Sequence, residues 1–132
     1  EIAKEIENYH RGLLHFLATD PRVPDRVRND MARFGLLFLN EGVWKDERIL
    51  SEGWIREATT PSTPNPNYGY MWWLNRPGER HWEGVPESVY YAAGFGGNFI
   101  VVAPEQDLVL VLRWLEPSEI GEFVRKVFAA LP

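Results

Sequence analysis

The sequence predicts an α+β domain in which an antiparallel meander of three or four strands packs with helices from both ends of the chain. The sheet is predicted by the runs 88–93, 98–103 and 108–115, which are rich in β-branched and aromatic residues. Glycine or proline marks the corners between these runs, and residues 68–74 alternate as a further strand. A length of 132 residues suits a single domain over residues 1–132.

Helices are predicted where apolar residues recur at spacings of three and four. Residues 2–17 carry such a stripe, and the two prolines within residues 19–24 end this N-terminal helix in a linker. A second helix is predicted over residues 25–40, and a short one runs from an N-cap at Ser51 to Ala58. The last helix follows an N-cap at Ser118, with glutamates near its start and basic residues later, and should lie across one face of the meander.

Composition excludes several classes of function. The net charge of −5 does not suggest a protein that binds nucleic acid. No apolar run approaches the length of a membrane span. The chain has no cysteine, which excludes a disulfide framework, a thiol nucleophile and a thiolate zinc site, and leaves the compartment open. His10 and His15 lie five residues apart on the predicted N-terminal helix, hence on different faces, so no metal site is predicted.

A cluster of glycines interrupts the predicted sheet. Gly94, Gly96 and Gly97 lie between the runs 88–93 and 98–103. Glycine within a strand pattern indicates a bulge, a tight bend, or the close approach of a ligand or another backbone. The glycines alone leave these alternatives open.

Four segments, in order, resemble the C-terminal half of the penicillin-recognising serine hydrolases, which include class C β-lactamases, esterase relatives and 6-aminohexanoate-dimer hydrolases. They are Met-Ala-Arg-Phe-Gly-Leu-Leu-Phe-Leu-Asn (31–40), Arg-Ile-Leu-Ser-Glu-Gly-Trp (48–54), Tyr-Gly-Tyr-Met-Trp-Trp-Leu (68–74) and Gly-Phe-Gly-Gly (94–97) with Pro104 and the strand from Leu108. The resemblance covers residues 25–132 and leaves residues 1–24 outside it. It implies a partial β-lactamase/transpeptidase-like fold.

The resemblance assigns roles to the glycine segment. Ala92-Ala93-Gly94 aligns with the third catalytic motif of the family, with a methyl group where relatives have lysine or histidine. The backbone N–H of Phe95, one residue after Gly94, matches the position that forms half of the oxyanion hole. Tyr90 and Tyr91 point to opposite faces of a strand, so only one of them lines a cleft. The predicted substrate-binding residues are Tyr70, Trp72, Tyr91, Ala92 and Gly96, although alternating aromatics on a strand are also typical of a core.

The nucleophile of the family is absent from this chain. Acyl transfer by the family needs Ser-x-x-Lys and a Tyr-x-Asn or Ser-x-Asn motif. The four serines, Ser51, Ser62, Ser88 and Ser118, are followed three residues on by Trp54, Asn65, Tyr91 and Gly121. The chain also begins at Glu1 without a methionine, which predicts a part of something longer or a trimmed protein. The resemblance therefore implies a parent that hydrolyses an ester or amide through an acyl-serine, without metal or organic cofactor, and a chain that is inactive alone.

Two further hypotheses remain open. A small binding module would use the glycine-walled cleft and its tryptophans for a carbohydrate or a peptide. A structural role would pair the chain through an open edge of the strand that begins at Leu108. The predicted partners are accordingly a second copy of the chain or a complementing N-terminal half, with no nucleic acid and no membrane.

Overall fold

The computed structural model describes residues 23–132, of which residues 32–132 form one compact unit. The helix predicted over residues 2–17 and its histidines lie outside the described residues, as does the linker as far as residue 22. The described elements are α1 (Val23–Leu39), β1 (Val43–Trp44), β2 (Glu47–Arg48), α2 (Glu52–Ala58), β3 (Trp73–Leu74), β4 (Tyr90–Gly94), β5 (Asn98–Ala103), β6 (Leu108–Leu112) and α3 (Ile120–Ala129).

The predicted α+β class and the four-stranded antiparallel meander are confirmed. The sheet has the order β3-β4-β5-β6, and every neighbouring pair is antiparallel. Tyr91 pairs with Val101, which pairs in turn with Leu110. Strand β5 has the predicted bounds, while β6 ends at Leu112 because the backbone turns at Trp114, whose φ is 61°. A short hairpin of β1 and β2 was not predicted from its polar sequence.

Helices cover both faces of the sheet. On one face Ile120 and Val124 of α3 are completely buried against a core that includes Tyr91, Phe99 and Val101. Helix α1 lies on the other face, where a Cβ at Gly35 would come within 2.6 Å of Val109 Cγ1. Glycine lets this helix approach the sheet closely, and alternate residues of each strand fill the two layers.

The helix boundaries follow local chemistry. At the end of α1, Gly42 N–H donates to Leu37 O at 2.8 Å, and the φ of 87° at Gly42 suits glycine. The predicted cap of α2 is confirmed, since Ser51 Oγ accepts a hydrogen bond from Trp54 N at 3.1 Å. The cap predicted at Ser118 is wrong, because residues 117–119 form a 3₁₀ turn and α3 begins at Ile120 without a side-chain cap.

The strand predicted over residues 68–74 is wrong for most of its length. Gly69 N–H donates to Trp72 O at 2.9 Å, and Met71 has a φ of 69°, so the chain turns back on itself here. Tyr68 pairs with Trp73 across this turn, and only Trp73 and Leu74 join the sheet. Side chains on the two arms of a turn alternate in sequence without lying on one extended strand, which is why the pattern was misleading.

Asn75 anchors the long connection between β3 and β4. Its side chain is completely buried, and Oδ1 accepts a hydrogen bond from Trp82 N at 2.7 Å. Asn75 Nδ2 donates to the carbonyls of Val85 at 2.9 Å, Pro86 at 3.2 Å and Trp82 at 3.3 Å. A buried amide with all of its groups bonded fixes the loop backbone, since leaving these groups unpaired would cost about 1–3 kcal/mol each.

Candidate functional site

The glycine segment forms the tip of the β4–β5 hairpin. Gly94 and Asn98 are the last paired residues, and residues 95–97 form the turn between them. Gly96 and Gly97 have φ values of 78° and 70°, which glycine adopts without strain. A Cβ at Gly97 would overlap the carbonyl oxygen of Leu115. These two glycines are therefore required by backbone geometry and by close contact with a neighbouring segment.

The N–H of Phe95 points away from β5. The pairing of β4 with β3 shows this. Asn75 N donates to Val89 O at 3.0 Å, so the odd-numbered residues of β4 direct their backbone N–H and C=O groups toward β3. Even-numbered residues, ending at Gly94, face β5. The Gly94 carbonyl and the Phe95 N–H belong to one trans peptide and point in opposite directions. The Phe95 N–H thus lies on the outer edge of β4.

This outer edge is open beyond Tyr91. Strand β3 is only two residues long and pairs with Tyr90 and Tyr91. Within residues 23–132, no strand pairs with the outer edge of β4 at Ala93, and Phe95 follows the last ladder pair. As far as the described residues are concerned, strand pairing leaves backbone donors and an acceptor free at this edge.

Side chains and neighbouring backbone hold the tip in place. Asn98 Nδ2 donates to Phe95 O at 2.6 Å, and Asn98 Oδ1 accepts from Arg113 Nε at 3.4 Å. Leu115 N–H donates to Gly97 O at 3.3 Å. Trp114 packs on the turn, because a Cβ at Gly96 would lie 2.7 Å from its Cζ3 atom. These contacts hold the turn that directly follows the Phe95 N–H.

A cleft of about 1090 Å³ lies beside the tip. Its walls are the turn itself, the segment 114–118, and Arg80, His81 and Trp82 from the connection between β3 and β4. The side chain of Phe95 is fully exposed and that of Trp114 is 71% exposed. Both aromatic faces are thus accessible to a molecule that reaches the open edge.

Tyr91 forms the floor of this cleft. Its ring stacks on Trp82 with a centroid separation of 3.9 Å, and its hydroxyl donates to Arg80 O at 2.7 Å. Burial raises the pKa of Tyr91 to about 12, and the charge of Arg80 offsets part of the rise. Burial also raises the pKa of Tyr90 on the other face, with a further contribution from the charge of Glu41. Neither phenol is a proton acceptor near neutral pH.

The raised pKa values predict loss of stability in alkali. A phenol whose pKa rises from 10.0 to about 12 on folding contributes stability that is complete below pH 10 and lost as pH rises through 12. Tyr91→Phe loses the hydrogen bond to Arg80 O and should be about 1 kcal/mol less stable at pH 8. Its free energy of unfolding should then fall less than that of the wild type between pH 8 and pH 11, with Tyr90 titrating in both proteins. Urea denaturation at the two pH values measures this, and an equal fall in both proteins would contradict it.

The predicted site residues are divided between four places. Gly94, Phe95, Gly96 and Tyr91 line the cleft together. Ala92 lies on the opposite face of β4 from Tyr91, because side chains alternate along a strand. The remaining two predicted residues lie away from the cleft: Trp72 is 1% exposed in the core, and Tyr70 lines a separate groove of about 1030 Å³.

Tyr70 and Trp72 have different neighbours because the chain turns at Met71. Tyr70 is 48% exposed and stacks on Trp54, with planes 1° apart and centroids separated by 5.7 Å. Trp72 packs on Phe38 with a centroid separation of 4.6 Å. Trp72 therefore lies in the hydrophobic core, which was the alternative to a substrate-binding role.

The sequence prediction missed several residues at the cleft and the hairpin tip, among them Asn98, Arg113, Trp114 and Arg80. Asn98 directly follows the glycines, so its position at the end of the turn was a usable signal. Arg113, Trp114 and Arg80 lie near the tip because of strand pairing and loop geometry, which the sequence pattern does not reveal. Arg80 also lies over the ring of Trp73, with its guanidinium carbon 4.2 Å from the ring centroid.

None of the described serines is paired with a base. Ser51 Oγ accepts from Trp54 N, Ser62 Oγ donates to Asn65 O, and Ser88 Oγ is buried without a partner in a different pocket from the tip. Ser118 and His81 both line the cleft, but His81 Nδ1 has no partner and no hydrogen bond joins the two side chains. The described part of the chain therefore lacks the activated hydroxyl that acyl transfer requires.

Residues 23–132 contain neither a metal-binding cluster nor a membrane-spanning helix. That part of the chain contains no group of three or more histidine, aspartate or glutamate side chains arranged to hold a metal ion. None of its helices has both the length and the apolar character needed to cross a bilayer. The cleft at the hairpin tip is thus the candidate site that combines open backbone groups with exposed aromatic rings.

Comparisons with known proteins add no family to these observations. No protein-family model matches the chain, and no curated protein matches it.

Proposed function

We propose that this chain is the C-terminal portion of a β-lactamase-like serine hydrolase and contributes one wall of its active-site cleft. The observation that supports the proposal most directly is the Phe95 N–H, which lies on the open edge of β4 and points away from β5. The motif resemblance gives this N–H the role of an oxyanion-hole donor. Two features support this role: the donor lies on an edge that β3 does not cover, and Asn98 Nδ2 holds the turn beside it by donating to Phe95 O.

The roles proposed for this chain and for a complementing N-terminal half follow from the chemistry of acyl transfer. Attack of a serine on an ester or amide carbonyl produces an oxyanion that is stabilised by two preorganised N–H donors. Phe95 supplies one donor, and the amide of the nucleophilic serine would supply the other. That serine and its lysine base would come from a complementing N-terminal half. This chain alone then binds and orients substrate at most, without forming an acyl-enzyme.

The first test is the activity of the pure chain and the content of the reading frame upstream of Glu1. We expect the 132-residue protein to hydrolyse nitrocefin and p-nitrophenyl acetate no faster than buffer does. We expect the upstream frame to encode Ser-x-x-Lys. Turnover by the pure chain, or an upstream frame without that motif, would contradict the proposal.

The second test examines the role of Phe95 in the joined protein. Phe95→Pro removes the N–H at a residue whose predecessor is extended, as a residue before proline prefers. Loss of one oxyanion donor lowers kcat by about 10²–10³. Phe95→Ala keeps the N–H and is the matched control, so it should retain most of the activity. Equal losses in the two variants would assign the effect to the aromatic ring and exclude the donor role.

A second candidate function is a binding module without catalysis. The exposed rings of Phe95 and Trp114 favour it, because such rings provide stacking surfaces for a sugar or a peptide. Titration of tryptophan fluorescence with oligosaccharides and peptides should show saturable quenching that Trp114→Ala removes. Quenching that survives this substitution would place the binding elsewhere, for example at the stacked Trp54 and Tyr70.

A further inference from the structure

A pocket of about 380 Å³ lies on the face of the sheet that carries Tyr90. Its volume is within the range of about 300–1000 Å³ that is typical of small-molecule sites. The apolar part of its wall comes from the end of α1, from α2 and from the residue after β5: Phe38, Leu39, Ile55 and Pro104. Tyr91, the floor of the cleft at the hairpin tip, points to the opposite face of β4. The Tyr90 pocket is therefore separate from the proposed hydrolase cleft.

Tyr90 brings an unpaired hydroxyl to this pocket. The residue is 8% exposed, and its ring packs edge-on against Trp72 with a centroid separation of 5.1 Å. Within residues 23–132 its hydroxyl makes no hydrogen bond, whereas the hydroxyl of Tyr91 donates to Arg80 O. The pocket is lined by Tyr90 without either of its chain neighbours, so the side chain is the part that reaches it. Buried polar groups usually have partners, and this phenol can both donate to and accept from a bound molecule.

Two opposite charges line the same pocket. Glu41 follows α1 and Arg56 lies on α2, and both side chains are exposed at the pocket. In the described part of the chain, neither of them forms an ion pair with the other or with a third group. The second carboxylate of the pocket, Glu52, is already bound by Arg48 at 3.0 Å. Burial raises the pKa of Tyr90 and the charge of Glu41 raises it further, so this carboxylate lies near the phenol.

We propose that the Tyr90 pocket binds a free α-amino acid with an aliphatic side chain. The ammonium group of the ligand faces Glu41, and its carboxylate faces Arg56. The Tyr90 hydroxyl accepts a hydrogen bond from the ammonium and donates one to the carboxylate. The aliphatic side chain packs on the apolar wall at Phe38 and Ile55. A ligand with both charges uses all three unpaired groups, whereas an amine or a carboxylate alone leaves one charge unused.

Three probes of similar shape test the requirement for both charges in NMR titrations of the 132-residue protein. L-leucine carries both charges, 3-methylbutylamine lacks the carboxylate, and 4-methylpentanoate lacks the ammonium. Leucine should bind with a Kd of about 0.1–1 mM, a scale suited to so small a ligand. The other two should bind about tenfold more weakly, because each loses a charge-assisted contact. Either of them binding as well as leucine would overturn the zwitterion. Absence of saturable leucine binding would show a pocket that holds only water or is filled by the chain itself, and would overturn the proposal.

Tyr90→Phe isolates the contribution of the hydroxyl. The ring keeps its contact with Trp72, and the group that is removed has no partner within the described residues, so Tm should shift by less than about 2 °C. The Kd of leucine should rise about tenfold, since hydrogen bonds to both charged groups are lost. Tyr68→Phe is the matched control, because it removes another unpaired hydroxyl, at the groove beside Tyr70, and should leave the Kd unchanged. A Kd that does not respond to Tyr90→Phe would overturn the site.

Two charge variants test which group of the ligand each side chain holds. Glu41→Gln should remove the tenfold preference for leucine over 4-methylpentanoate, because the ammonium group then has no carboxylate to face. Arg56→Gln should instead remove the preference for leucine over 3-methylbutylamine. Both side chains are exposed, so neither change disturbs the core. A variant that keeps the full preference would overturn the role given to its side chain and, with it, the orientation of the ligand.

Discussion

Replacing Trp72 by alanine is expected to destabilise the protein by about 3–5 kcal/mol, the usual cost of removing a fully buried large aromatic side chain. Trp72 is 1% exposed, and its ring contacts those of Phe38, Tyr90 and Phe34 with centroid separations of 4.6, 5.1 and 5.8 Å. The cavity left by its removal would separate α1 from the sheet. Urea denaturation at neutral pH measures the change in the free energy of unfolding.

Tyr70→Ala is the matched control for this prediction. Tyr70 lies two residues earlier on the same turn but is 48% exposed, so its removal costs only the stack on Trp54, about 0.5–1.5 kcal/mol. The losses in free energy of unfolding of the two variants should therefore differ by at least about 1.5 kcal/mol. Similar losses for the two variants would show that Trp72 does not join α1 to the sheet.

Gly97→Ala is expected to destabilise the hairpin tip by about 2–5 kcal/mol. The left-handed backbone, with φ at 70°, costs roughly 1–2 kcal/mol for a residue with a Cβ. The new Cβ would also overlap Leu115 O, and such overpacking usually costs about 1–3 kcal/mol. Relief requires the segment at Leu115 to leave the tip, which breaks its hydrogen bond to Gly97 O.

Gly94→Ala is the control that shows whether any substitution in the hairpin lowers the free energy of unfolding as Gly97→Ala is expected to do. Gly94 is exposed and lies in a strand, and a Cβ there would meet nothing closer than Asn98 O at 3.7 Å. Its substitution should change the free energy of unfolding by less than about 1 kcal/mol. Thermal and urea unfolding of both variants measure the contrast. A large loss for Gly94→Ala with little loss for Gly97→Ala would contradict the geometry of the turn.

The sheet was predictable because its strands carry strong local signals. Residues 99–102 are aromatic or β-branched and lie between a glycine turn and a proline, and residues 98–103 form β5 at the predicted bounds. The cap at Ser51 was predictable for a similar reason, since the hydrogen bond to Trp54 N depends on residues three apart. Local propensity and tertiary structure agree in these places.

The failures occur where one residue changes the direction of the chain. Met71 adopts a left-handed φ that non-glycine residues seldom take, so the alternation of residues 68–74 gave no indication of a turn. That turn separates Tyr70 from Trp72 and divides the predicted aromatic wall. The open edge at Ala93 depends on how far β3 extends along β4, which is a property of pairing rather than of either sequence.

The buried side-chain amide of Asn75 determines where the connection between β3 and β4 can be lengthened. Its bonds fix the base of the loop at Trp82, Val85 and Pro86, while Glu79 and Arg80 are exposed at the far end. Extra residues inserted between Glu79 and Arg80 would extend outward beside the cleft and leave the sheet register undisturbed. A longer connection at this point would therefore cover more of the cleft while the sheet beneath it stays unchanged.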